Sequence, residues 1–244
     1  MATTRTKTRR AGTETAAPGR GVLEGAFALL DALRRRGGEA GLTELAAACG
    51  VPKGTAHRLL DQLGPVGAVE RRGRRYVLGP QLFRLGESWQ PYPGLRDAAR
   101  LPLHRLRAAT GAAVVLAVPH GGRALAVACV PGRPEGAVTV REGTAFPVGT
   151  AVGRALEGRE RGPFVDRDTR IPDLVGAAVV VGVDCVALPV RGPGGRVIAS
   201  LAALTPAGGN LAPVVTATAS AASAVAAGLA AAGPARGTTV VAAG

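Results

Sequence analysis

Lys53, Gly54 and Thr55 stand together in GVPKGT, a segment whose glycine, lysine and hydroxyl are the residue types of a phosphate-cradling loop. That chemistry requires the order G-x-x-x-x-G-K-[ST] directly after a buried strand, so that several backbone amides converge on one anion. Here the lysine precedes the glycine, and helix-patterned residues lead into both. The segment is therefore not a phosphate loop. The residues just after it suit a different chemistry. Arg58 can reach a guanine edge with two hydrogen bonds or a phosphate with a charge-assisted one. His57 and Gln62 can donate and accept at base edges, and Gly54 removes a side chain where a duplex would come close.

Other reactive residue types are scattered. A catalytic cysteine needs a basic neighbour that lowers its pKa. Cys49, Cys129 and Cys185 are far apart, and His57, His104 and His120 are distant in sequence from Cys185, which sits in an apolar run. No disulfide framework or metal spacing can be drawn from them, which fits a reducing cytoplasm. The expectation is a non-enzyme with no catalytic residues, no metal and no cofactor.

The elements that must position Arg58 read as follows. Leu23, Ala26, Phe27, Leu30 and Leu33 follow helical spacing, and Arg34, Arg35 and Arg36 complement the dipole before Gly37-Gly38 stops the helix. A second short helix runs over Thr43–Cys49, with Thr43 as its N-cap and Gly50 as its stop. Pro52 takes the first position of a third helix that extends to about Leu63. At about 100° per residue, Ala56, Leu59, Leu60 and Leu63 share one face of it, opposite His57, Arg58 and Asp61. AVERRGRRYVLG then reads as a basic hairpin around Arg72-Gly73-Arg74, followed by a short helix QLFRLGESW and the breaker QPYPG. Two short helices, a glycine turn and a basic hairpin in this order make a winged helix-turn-helix. The residues expected on DNA are Thr43, Pro52, Lys53, Gly54, Thr55, His57, Arg58 and Gln62, with Arg71, Arg72, Arg74 and Arg75 on the wing.

Downstream the texture changes. GLRDAARLPLHRLRAATG reads as a helix with Pro102 inside it; AAVVLAVPH, RALAVACV, GAVTV and two long runs ending VALPVR and ASLAAL read as strands; GTAVGRALEG opens a helix. Strands mixed with helices and without a repeat indicate a compact α/β domain, with a break near Pro91–Gly94. The whole is an α+β chain: residues 1–20 a disordered basic arm, 21–80 the DNA-binding domain, 81–94 a linker helix and hinge, 95–233 the second domain, and 234–244 a flexible tail.

Charge and composition agree with this reading. The net charge is +13, and residues 52–76 concentrate Lys53, Arg58, Arg71, Arg72, Arg74 and Arg75 against Asp61 and Glu70. Such a patch suits a polyanion, of which nucleic acid is the common one. The N-terminus is basic and polar with no apolar core, unlike a secretory signal. Only 3% of the chain is aromatic, so the core must be built from Ala, Val and Leu. The uncharged stretch 214–233 has the length of a membrane span, but Ala, Ser, Thr and Gly drive insertion weakly, and it reads as a buried amphipathic helix.

The blocks LTELAAACGVPKGTAHRLLDQL, AVE…YVLGPQLFRLG, RLPLHRLRAATGAAVVLAV, REGTAFPVGTAVGRAL and GVDCVALPVRGPGGRVIASL, in this order, resemble the IclR family of bacterial transcriptional regulators across nearly all of 22–233. The resemblance implies a winged helix-turn-helix joined by a linker helix to a GAF-like α/β effector-binding domain. It implies a homodimer or dimer of dimers on a palindromic double-stranded DNA operator, and a small organic acid as effector. Carried over position by position, it places the effector beside Gly149, Thr150 and Ala151, with Cys185, Ala202 and Leu204 at the pocket strands. Two pocket serines of the family become Ala202 and Leu204, and the family's acidic stretch before GVxC becomes Gly176–Val181. A pocket without hydroxyls or a carboxylate would leave a polar acid unpaired, at about 1–3 kcal/mol for each group. The expectation is a more apolar ligand, or a domain that binds none and only oligomerises.

Overall fold

The computed structural model describes residues 21–133, 140–158, 162–171 and 180–232. The expected N-terminal arm and C-terminal tail lie outside these residues, as do most of GAVTV and most of the 176–181 stretch. The chain divides into two compact units, one up to Gly86 and one from Glu87.

The first unit contains α1 (Val22–Arg35), β1 (Glu39–Gly41), α2 (Leu42–Cys49), α3 (Lys53–Leu63), β2 (Val69–Arg72), β3 (Arg75–Leu78) and α4 (Pro80–Glu87). Leu29, Leu33, Leu45, Ala56, Leu60 and Tyr76 close its core, which joins α1, α2, α3 and the hairpin. The three strands form an antiparallel sheet in the order β1-β3-β2. Strand β1 has only three residues, too few to show an alternating pattern.

Two local expectations are corrected. On α1 the buried residues are Gly25, Leu29, Leu30, Ala32 and Leu33. Leu23 and Phe27 are 76% and 68% exposed, because the core contacts come from the face carrying Leu29 and Leu33. Thr43 is not the cap of α2. Gly41 occupies that position, and its amide donates to Glu44 Oε2 at 2.9 Å. Glu44 is thus the residue that reaches back, and this hydrogen bond is the main cause holding its carboxyl below the usual value. Pro52 likewise stands at the N-cap of α3, one residue before the helix.

The second unit contains α5 (Leu95–Thr110), β4 (Ala113–His120), β5 (Arg123–Val130), β6 (Ala145–Phe146), α6 (Ala151–Glu157), β7 (Phe164–Ile171), β8 (Val180–Arg191), β9 (Val197–Pro206) and α7 (Ala212–Ala232). The six strands form one antiparallel sheet in the order β6-β5-β4-β9-β8-β7. Strand alternation sorts its side chains into two cores. Val114, Leu116, Val118, Leu201 and Ala203 face α5 and α7. Ala113, Val115, Ala117, Cys185, Ala202 and Leu204 share the opposite side with α6. Both faces are covered, so β4 and β9 read as continuous apolar runs rather than as alternating ones.

Helix α5 continues through Pro102. Helix α7 is long and apolar enough to cross a membrane. Val214, Thr218, Ala221, Ala222, Val225 and Leu229 are nevertheless buried, and the helix packs on α5 and the sheet. It is a core helix whose small residues allow close approach.

Candidate nucleic-acid interface and effector pocket

The turn between α2 and α3 places Arg58. Ala56, Leu59 and Leu60 are buried and Leu63 is half-buried, which anchors one side of α3. Lys53, Gly54, Thr55, His57, Arg58, Asp61 and Gln62 are exposed on the remainder. Among the described residues Lys53 and Arg58 make no ion pair, so both cations are available to a polyanion. A groove of about 510 Å³ runs between this helix, the start of α2 and the hairpin, lined by Thr43, Glu44, Lys53, His57, Arg71 and Arg74 among others. The structure therefore brings the N-terminal end of α3, Thr43 and part of the wing together.

The wing arginines are not equivalent. Gly73 has a φ of +61°, which the two-residue turn between the paired Arg72 and Arg75 requires. Arg74 is exposed with no ion pair among the described residues. Arg71 Nε donates to the Gly73 carbonyl at 3.1 Å, and Arg72 lies 3.5 Å from Glu70. Arg75 bonds Glu39 at 2.7 Å and lies 3.7 Å from Glu44, tying the hairpin to β1 and α2.

In the second unit the residues expected around an effector do converge. Ala151, Cys185, Ala202 and Leu204 belong to one buried cluster, while Gly149 is exposed and Thr150 half-buried at the start of α6. Thr150 caps the helix: its Oγ accepts from the Gly153 amide at 3.2 Å and donates to the Pro147 carbonyl at 2.7 Å. The Ala151 amide is already engaged. It donates to Asp166 Oδ2, and the other carboxylate oxygen of Asp166 accepts from Arg154 Nη2. Arg154 also donates to the Val165 carbonyl at 3.2 Å and lies over the Phe164 ring, 5.8 Å from its centroid. Asp166 pairs across the sheet with Cys185, which pairs with Leu204.

This corrects the expectation of a site without a carboxylate. Asp166 supplies one, from a strand that the sequence reading passed over. The acidic residues stand in FVDRDTRI, but nothing along the chain links them to the start of α6. Burial is the main cause pushing the Cys185 thiol up to about 12; Asp166 adds to it and Arg154 opposes it. The buried hydroxyl of Ser200, two residues before Ala202 on the same side of β9, has no hydrogen-bond partner among the described residues. A buried carboxylate, Asp184, accepts from the Asp168 and Gly208 amides at 2.9 and 3.2 Å and pins β7 and the turn after β9. No group of three or more His, Cys, Asp or Glu suited to a metal occurs among the described residues.

Residues 22–73 match the IclR helix-turn-helix domain family. The chain is 34% identical over 166 residues to the glycerol operon regulatory protein of Streptomyces coelicolor, covering 62% of this chain and 65% of that protein. It is 37% identical over 100 residues to the protein of the same name from Streptomyces griseus, covering 40% and 39%. The chain thus spans less than two thirds of the length of the curated relatives it matches. Among solved structures, an IclR homologue from Microbacterium hydrocarbonoxydans complexed with 4-hydroxybenzoate superposes with a TM-score of 0.70 at 20% identity, over 86% of this chain and all of that one. An IclR transcriptional regulator from Alicyclobacillus acidocaldarius gives 0.66 at 24% identity, over 86% and 97%. Residues 22–73 thus carry an IclR helix-turn-helix domain, and over most of its length the chain shares the fold of these structures.

Proposed function

We propose that the protein is a sequence-specific, DNA-binding transcriptional regulator whose operator binding is modulated through its C-terminal unit. The observation that carries this reading is the exposed face of α3, where Arg58 and Lys53 make no ion pair among the described residues and stand beside a groove shared with Arg71 and Arg74. Arg58 is assigned to base readout and the wing to phosphates. Replacement Arg58→Ala is expected to lower discrimination between the operator and random DNA by about tenfold, the scale of 1–3 kcal/mol for one specific contact. Footprinting upstream of its own gene supplies the operator, and competition binding measures the ratio. Equal weakening on both DNAs would make Arg58 a phosphate contact.

The protein acts in the cytoplasm as a homodimer or dimer of dimers on a palindromic site. Helices α1 and α4 support association: Val22, Leu23 and Phe27 on the first, and Phe83 and Leu85 on the second, are all at least 60% exposed.

For the C-terminal unit, a ligand-blind reading is favoured by one observation. The carboxylate position at the start of α6 is held by the chain's own Asp166. Ala151, Ala202 and Leu204 around it are fully buried. A small acid entering here must displace Asp166 from both the Ala151 amide and Arg154. The relative complexed with 4-hydroxybenzoate supports the effector-modulated reading by analogy, and the unpartnered Ser200 hydroxyl supplies one free polar group for such a ligand.

A further inference from the structure

Asp61 is an acid on the otherwise basic working face of α3, where it opposes the approach of phosphates. It stands one turn after His57, whose Nδ1 lies 2.8 Å from Asp61 Oδ2; the two side chains are 46% and 55% exposed. His57 also lines the groove shared with Lys53, Arg71, Arg74 and Glu44. Of these neighbours the three cations can only donate, and the Glu44 carboxylate is turned to the Gly41 amide and Arg75. Asp61 is therefore the acceptor that Nδ1 has.

We propose that Asp61 is a positioning residue that fixes the tautomer of His57, so that His57 presents Nε2 as a hydrogen-bond acceptor to an amino-bearing base. The inference rests on the DNA-binding reading and adds a specificity rule to it. A neutral imidazole carries one proton, and the bond made by one nitrogen sets the state of the other. In that neutral form, with Nδ1–H committed to Asp61, Nε2 holds a lone pair and no proton. In the major groove an acceptor matches only the exocyclic amino groups, N6 of adenine and N4 of cytosine; guanine and thymine present acceptors there, which Nε2 would repel. Without Asp61 the ring can exchange tautomers and turn, and it then accommodates either class. The contribution of Asp61 to recognition is thus indirect, in the way that second partners of metal-bound histidines orient the ligating nitrogen.

The test selects binding sites from a pool of random duplexes with the full chain, in four forms: the unaltered protein, Asp61→Asn, Asp61→Ala and His57→Ala. The unaltered protein is expected to enrich a site with adenine or cytosine at one position on the strand His57 faces. Asp61→Ala is expected to reduce the preference at that position by about 3- to 10-fold and to leave the other positions unchanged. His57→Ala loses the same position. Asp61→Asn separates positioning from charge, because its amide oxygen accepts the same hydrogen bond without the negative charge. It is expected to keep the preference while binding every duplex more tightly. The proposal is overturned if Asp61→Ala and Asp61→Asn behave alike, or if Asp61→Ala retains the full preference. A pool that the unaltered protein does not enrich at all would instead overturn the DNA-binding reading, and the proposal with it. Thermal melting of the variants confirms that each is folded, as expected for exposed positions on a helix.

Discussion

Burial decides the chemistry of Cys185. A thiol pushed up to about 12 by desolvation remains protonated at physiological pH, which makes it a poor nucleophile. Cys129 is pushed up to about 12 as well, by burial first and by Glu142 second. Both values lie above the ordinary 9.0, so the folded state holds protons that the unfolded state releases. The stability tied to these thiols is therefore complete below pH 9 and is lost as pH rises towards 12. Iodoacetamide at pH 8 is expected to modify Cys185 only after a denaturant is added, and denaturation midpoints should fall across that alkaline window. Rapid labelling of Cys185 in the native protein, read by peptide mass, would overturn the assignment. At this scale the sequence was informative for Arg58, whose exposure follows from the periodicity of its own helix. It was not informative for Asp166, whose partners are the amide of Ala151 and the guanidinium of Arg154 on another element.

Among the elements, the wing and α6 carry separate predictions. Arg74 has no ion pair among the described residues, whereas Arg75 is bonded to Glu39 and Glu44. Replacement Arg74→Ala is expected to reduce the slope of log K against log salt by about 0.9, the value for one lost phosphate contact. Arg75→Ala should leave the slope nearly unchanged and cost at most about 1 kcal/mol of stability, since the ion pairs it breaks are half exposed. Binding isotherms across a salt series distinguish the two.

Helix α6 depends on Gly153. A Cβ there would lie 2.4 Å from the Pro147 carbonyl and 2.5 Å from the Val148 Cα, backbone atoms that cannot swing away. Gly153→Ala is expected to destabilise the second unit by about 1–3 kcal/mol, visible as a lowered melting temperature. An unchanged melt would mean that Pro147 and Val148 do not fold back against the first turn of α6. Helices α2 and α3 and the basic hairpin were legible in the sequence because turns and hydrophobic periodicity are local. Strand β1 was too short for a pattern, β7 mixes charged and apolar residues, and the buried face of α1 depended on where α3 packs.

For the molecule as a whole, the question is whether the second unit responds to small acids. With Asp166 bound to Ala151 and Arg154, the ligand-blind reading expects no saturable rise in melting temperature with a glyoxylate-sized acid. Ligand at 100 times its Kd would add about 2.7 kcal/mol of stability, so a real site would not escape a titration. A tight, saturable rise would contradict the ligand-blind reading and favour effector modulation. Helix α7 carries a related lesson. Its composition alone fits a membrane span, and only the burial of Val214, Val225 and Leu229 against α5 and the sheet makes it a core helix.

What the sequence by itself determined is the part of the protein governed by neighbours along the chain. The order of two helices, glycine turn and basic hairpin, the side of α3 that is buried, and the strand-like runs that end at Arg191 and Leu204 all follow from local periodicity and turn chemistry. The tertiary structure alone decided which distant groups meet. Asp166 reaches the amide of Ala151 because β7 pairs with β8 in one register and α6 packs over that face. Arg75 bonds Glu39 because β1 pairs with β3 and brings the two together. Strand register and helix docking depend on the whole core. A change of one residue in register would turn these side chains to the opposite face.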